Sequence, residues 1–442
     1  MRRFRIDGLV AVGALALIAL TPALAPRSLE LAGAPETARV GIISTGAGTT
    51  LVRLNSSSLK RSGRPLELNA FGGVWAFAPD GRLLAMAVRP TANSSFETLR
   101  FFTVSGPRRA RGRISLGGAA AALFWLRPDR ILAYVNEPPT GASSVVAIDP
   151  GARRVVARTR VDGSVMHVAR AGDDLVLLVS ETNRIGAARV VLVDGDGATR
   201  TAKLDAIVAG TSWPEGATSD PIGRREIPGL AVDGSGRRAV VIAPSGLAAE
   251  VDLASLAVSV HHLSEPRALI DRIAGWLTPA AEAKGMNGPA LTAAWLGDGL
   301  LAVAGTDESA ALEGGAFHGS ARPLGLRIVD THDWSVRLLD PGADSFTVAE
   351  DVLLATGSSW SSDSQQQTGM GVVAYTADRT PRFRLLSGHA AWIGFVYRGR
   401  AYISVHNESA LRIVDLLSGR VVGSRSAYAP WPLLGESSPV FR

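Results

Sequence analysis

The feature that most constrains this chain is a short apolar strand that recurs eight times and ends each time in a polar residue. The copies are LVRLN ending at Asn55, FFTVS at Ser105, VVAID at Asp149, VVLVD at Asp194, AAEVD at Asp252, LRIVD at Asp330, VVAYT at Thr376 and LRIVD at Asp415. Most lie 39 to 58 residues apart, with one gap of 78. Residues around each copy supply the rest of a unit. One unit reads GVWAFAPDG, RLLAMAV, TLRFFTV and RGRISLG, which is four short strands joined by tight turns.

A four-stranded unit of this length cannot bury both faces alone, so neighbouring units must stack and the array must close. The sequence therefore predicts an all-β fold: a β-propeller of about eight four-stranded blades, or seven if one terminal unit is irregular. Three strands at the start (VGIIST, TTLVRLN, RPLELN) and one near WPLLGE at the end read as a shared closing blade. The expected organisation is a signal peptide or membrane anchor over 1–25, a linker over 26–38, the propeller over 39–435 and a tail over 436–442.

VDLLSGRVVGSR (414–425) and IDPGARRVVART (148–159) are similar to the D-x-x-x-G/R-x-V turns of bacterial YVTN and quinoprotein-like propellers. The resemblance covers most of residues 39–435 at the level of the fold. The tryptophan-docking motif of the quinoprotein family would place a tryptophan where Gly423 and Ala157 stand. The regular Gly-His and Trp-Asp pairs of WD repeats are also missing. The resemblance implies a propeller and leaves the ligand open.

Residues 1–25 carry Arg2, Arg3 and Arg5, then an apolar run from Leu9 to Leu20, then Ala23-Leu24-Ala25. This is the pattern of an export signal. Pro26 follows the cleavage pattern and disfavours cleavage there, so the alternative is that residues 9–25 stay attached as a membrane tether. Either way the expected location is extracytoplasmic. The chain contains no cysteine, which excludes disulfides, thiolate metal sites and a cysteine nucleophile. Its net charge is +6, but the arginines are scattered rather than gathered into a stripe with aromatics, so nucleic acid is not an expected partner.

Propeller geometry sorts the loops by face. Turns joining strands one to two and three to four are short and rich in Gly, Asp and Pro. This plain face carries Arg108, Arg109, Arg111, Arg153, Arg154, Arg237, Arg238, Arg398 and Arg400, read either as solvated turn residues or as contacts for anionic lipid. The opposite face carries long stretches, 209–228, 265–290, 305–324 and 358–371, which read as irregular loops. Within 265–277, Leu269, Ile270, Ile273, Trp276 and Leu277 recur at helical spacing and predict one short amphipathic surface helix.

No catalytic motif is present. The seven histidines include no HExxH pair, and no G-x-S-x-G elbow or P-loop lysine appears. The predicted innermost strands are apolar apart from His167, Thr292 and Thr347. The expectation is a protein- or glycan-binding scaffold, with no metal or cofactor; a propeller enzyme with its site at the channel mouth is the alternative. The candidate binding residues all sit on the long stretches: Trp213, Asp220, Arg224, Arg225, Trp276, Asp307, Glu308, His318, Trp360 and Asp363. Tryptophans flanked by charge are suited to protein or sugar contacts.

Overall fold

The computed structural model describes residues 39–138, 142–213, 222–264, 285–313, 316–349, 352–362, 366–434 and 437–438. The N-terminal segment, the predicted helix over 265–277, and Asp220, Trp276 and Asp363 lie outside the described residues. Among the described residues there is no helix, and antiparallel four-strand ladders dominate.

Eight such ladders follow one another along the chain. Phe71–Phe77, Leu83–Arg89, Thr98–Thr103 and Arg109–Ser115 pair in sequence order, and the later blades repeat the scheme. Each recurring apolar strand is the third of its ladder. Blade one is composite: Val40–Thr45, Gly48–Leu54 and Arg61–Glu67 take their innermost partner from Trp431–Pro432 at the far end of the chain. This is the shared closing blade that the sequence predicts. Ser437–Ser438 then adds to the inner side of Phe71–Phe77.

The strands read as nearly continuous apolar runs because both faces of each ladder are buried. In Leu83–Arg89, Leu84, Met86 and Val88 pack toward blade one, while Ala85 and Ala87 pack toward blade three. Every one of eight core clusters mixes residues of two consecutive blades, and the last joins blade eight to blade one. That closing cluster is aromatic where the others are mainly aliphatic. Phe395 stacks on Tyr402 at 4.1 Å, Trp431 meets Phe395 edge-on at 5.1 Å, and the Tyr397 hydroxyl donates to the Ser56 carbonyl.

The Asn or Asp that ends six of the third strands has a physical role. Asp252 Oδ1 accepts the Ser255 N–H and hydroxyl, both at 2.7 Å. Asp415 does the same for Ser418 at 2.8 and 2.7 Å, and Asn55 Oδ1 accepts the N–H groups of Ser57 and Ser58. The side chain thus caps a tight turn whose backbone closes from Leu256 N–H to the Asp252 carbonyl and from Gly419 N–H to that of Asp415. The repeat seen in the sequence is a repeated cap.

Arginines bridge the seams between blades. Arg109 donates to the Leu68 carbonyl at 2.6 Å, Arg158 to Leu116 at 2.6 Å, Arg200 to Leu253 at 3.2 Å and Arg425 to Leu59 at 3.2 Å. Arg238 joins Asp233 and Glu250 and lies 4.9 Å over the Trp295 ring. Part of the arginine content therefore serves the fold itself.

Candidate binding face

The long stretches are not irregular loops where they are described. They are strands that run on past their blades and pair with one another. Thr199–Ser212 of blade four continues to pair Gly210–Ser212 with Arg224–Glu226. Ile222–Arg224 pairs in parallel with Gly285–Asn287, the start of blade six. The strand Leu300–Glu313 pairs with Ala316–Pro323, which meets Trp360 and Ser361 of blade seven through Ala321 and Ser320. Ser358–Ser361 completes the row with Gln366–Gly369. A lateral sheet therefore rises from one face and links blades four, six and seven.

This corrects the expectation of irregular loops, and the reason is physical. Leu300–Glu313 with Ala316–Pro323 and Ser358–Ser361 with Gln366–Gly369 are hairpins, but the bonds that join the extensions into one sheet, Ile222 with Gly285 and Ser320 with Ser361, link residues far apart in sequence that no local signal marks. The backbone crossing from blade to lateral sheet passes through glycines. At Gly357 a Cβ would sit on the Gly342 carbonyl oxygen, and at Gly305 on that of Ala290. Only glycine permits these close approaches.

Register divides the described candidate residues between two faces of the sheet. Glu308, Ala321, Trp360 and Gln367 lie in one cross-strand row and so share a face. Arg225 reaches Glu308 at 3.1 Å and donates to the Gly288 carbonyl at 3.2 Å. Asp307, one residue along, faces the other way and accepts from Arg322 at 2.7 Å. Trp213 lies against Gly223 beside Met286, and its N–H donates to Asn183 Oδ1 at 2.8 Å. Trp213 and Trp360 remain 39% and 40% exposed. Arg224 is exposed in register with Ser212, and His318 is half-buried opposite Ala311. The structure thus joins Arg225 to Glu308 and sets Trp360 in their row, but places Asp307 on the reverse side.

Burial tunes the acids of this region. It pushes the Glu308 carboxyl up, against the pull of Arg225, and pushes Glu226 up as well. Asp344, which accepts the Ser358 N–H at 2.8 Å at the foot of the blade-seven strand extension, is pushed up to about 7 by burial. His167 on the innermost strand of blade four is 3% exposed, and burial drives it down to about 4 despite the Pro228 and Leu291 carbonyls. His261 and His262 do not converge: His261 stacks on Trp334 at 4.0 Å while His262 is exposed. Among the described residues no cluster of acids and histidines is arranged to hold a metal.

Sequence reasoning missed Trp392. It belongs to an otherwise apolar innermost strand, yet it is 41% exposed at the start of Ala391–Tyr397, edge-on to His406 at 6.2 Å. Its place as the second residue of an innermost strand was the available signal. Asp344 was missed for the opposite reason: nothing in the local sequence distinguishes a buried turn aspartate from a solvated one.

The fold defines the chain as a β-propeller. No known family profile matches the sequence, and no curated protein matches it either. Among solved structures it is similar to dihydro-heme d1 dehydrogenase NirN in complex with DHE, at 12% identity and TM-score 0.52, covering 95% of this chain and 80% of that one. It also matches AztD from Citrobacter koseri, at 11% identity and TM-score 0.49, over 90% of this chain and 97% of that one. BamB from Moraxella catarrhalis matches at 12% identity and TM-score 0.42, over 80% and 87%. At such identities the likeness concerns the fold, and the YVTN resemblance stands at that level too.

Proposed function

We propose that this protein is an extracytoplasmic, eight-bladed binding propeller that holds a protein partner on its lateral sheet. The observation that carries the reading is the pair Trp213 and Trp360, two large rings left about 40% exposed on a polar, rigidly paired surface. Exposed tryptophans ringed by charged residues concentrate binding energy. The Arg225–Glu308 pair, in the same row as Trp360 and mostly buried, ties the strands of the sheet together. Residues 1–25 support export, with 9–25 as a tether if they are retained.

The test is photo-crosslinking in intact cells from residues placed beside Trp213 and Trp360. A discrete adduct that disappears in the Trp213→Ala, Trp360→Ala double variant is expected. Adducts of unchanged yield in the folded double variant would remove the surface assignment. An adduct to glycan rather than protein would transfer the same surface to the cell envelope. The alternative, a propeller enzyme with its site at the channel mouth, predicts a chromophore or metal in the purified protein, which an absorption spectrum and elemental analysis would reveal.

A further inference from the structure

A cleft of about 680 Å³ opens beside the lateral sheet, between blades five, six and seven. We propose that it is a binding site for a small amphipathic carboxylate, with an apolar body lying in the cleft and the anionic head at its arginine-bearing rim. This site is separate from the tryptophan surface and goes beyond the partner-binding reading.

The size falls within the usual range for enclosing a small molecule, roughly 300–1,000 Å³. Leu263, Leu291, Val303, Leu324, Val329 and Met370 supply its apolar wall. Much of the remaining wall is backbone of glycine and proline, including Pro244, Gly246, Pro323, Pro341, Gly342 and Gly357. Such residues have no long side chains to swing inward, so that part of the wall keeps its shape whatever rotamers its neighbours adopt. Gly357 cannot be replaced by a bulkier residue without striking the Gly342 carbonyl.

Charge selects the head group. Arg322 and Arg327 both line the cleft, and no acidic side chain does so among the described residues. Asp307 accepts from Nε and Nη2 of Arg322, at 3.1 and 2.7 Å, which orients the guanidinium and leaves its Nη1 for a ligand. Arg327 is held by the Leu324 and Gly325 carbonyls, at 2.6 and 3.2 Å. Ser359 and Thr368 add hydroxyl donors to the lining. A cationic amphiphile meets repulsion here, and a neutral one gains only the apolar wall.

The experiment is titration calorimetry of the full chain with dodecanoate, dodecanol and dodecyltrimethylammonium, each kept below its micelle concentration. Dodecanoate should bind with one site and at least tenfold more tightly than dodecanol. Arg322→Gln should abolish most of that preference while leaving dodecanol binding unchanged. Thr368→Trp, a substitution at an exposed position on the cleft wall, should weaken dodecanoate and dodecanol alike by tenfold or more, with circular dichroism confirming the fold. Equal affinity for all three head groups, no binding of any of them, or binding indifferent to Thr368→Trp would each overturn the proposal. None of these outcomes bears on the crosslinking at Trp213 and Trp360, so the two readings fail separately.

Discussion

The two faces of the ring solve the same problem, how to end a strand, in opposite ways. On the plain face the chain turns at once, and one polar side chain at the end of the third strand caps the turn, as Asp252 and Asp415 do. On the other face several strands do not end. They continue through glycines into a sheet that bridges blades four, six and seven. The plain face is therefore modular, since each cap serves its own blade. The lateral sheet is collective, since its hairpins are joined to one another only by strands from other blades.

The comparison can be broken most severely at the glycine crossings. Gly357→Ala forces a Cβ onto the Gly342 carbonyl and should cost about 3 kcal/mol, the upper end for overpacking, read from urea denaturation. Arg225→Met comes next. It strands the half-buried Glu308 without its partner and should cost roughly 2–3 kcal/mol, measured in the same way. Asp233→Ala tests the modular face. Asp233 accepts the Arg237 and Arg238 N–H groups at 2.8 and 3.1 Å, and its loss should cost about 1–2 kcal/mol without disturbing the rest of the ring.

Acid titration sharpens the contrast further. The folded-state pKa of Asp344 is raised from 3.8 to about 7, so between these values the folded protein holds a proton that the unfolded chain has lost. Its contribution to stability is greatest below about pH 4 and declines as pH rises to 7. Asp344→Asn keeps an acceptor for the Ser358 N–H and should remove that decline, raising the melting temperature at pH 8. His167 acts in the other direction. Its pKa falls from 6.5 to about 4, so stability is lost as pH drops through that window, and the variant should expose this slope alone. The smallest effect is expected at Arg398, an exposed turn residue at φ 50°, where Arg398→Gly relieves a left-handed strain and should gain up to about 1 kcal/mol.

The modular half of the molecule was legible in the sequence because its signals are local. A capped turn, an apolar run and another turn fall within a few residues, and the closing blade followed from counting three strands at one end and one at the other. The collective half was not legible. Segments such as Ser358–Ser361 and Gln366–Gly369 are polar, small or glycine-bearing, which hides the hairpin they form, and no local pattern links Trp360 and Ser361 to their outer neighbours Ala321 and Ser320. Arg225 and Glu308 are in direct contact yet stand 83 positions apart, so no local pattern announces the pair. Asp307 and Glu308, adjacent in sequence, were grouped together when the period of a strand sends them to opposite faces.

The composite first blade sets a timetable for assembly. Three of its strands are made first, and the fourth, Trp431–Pro432, is made nearly last. Until it arrives, Val40–Thr45 lacks an inner partner, and Trp431 is missing from the aromatic seam with Phe395. A chain that stops before Trp431 would hold three strands of the first blade and all four of each other blade, and still be unable to shut the ring. Closure therefore waits on a single two-residue strand, long after the strands it must meet have been made.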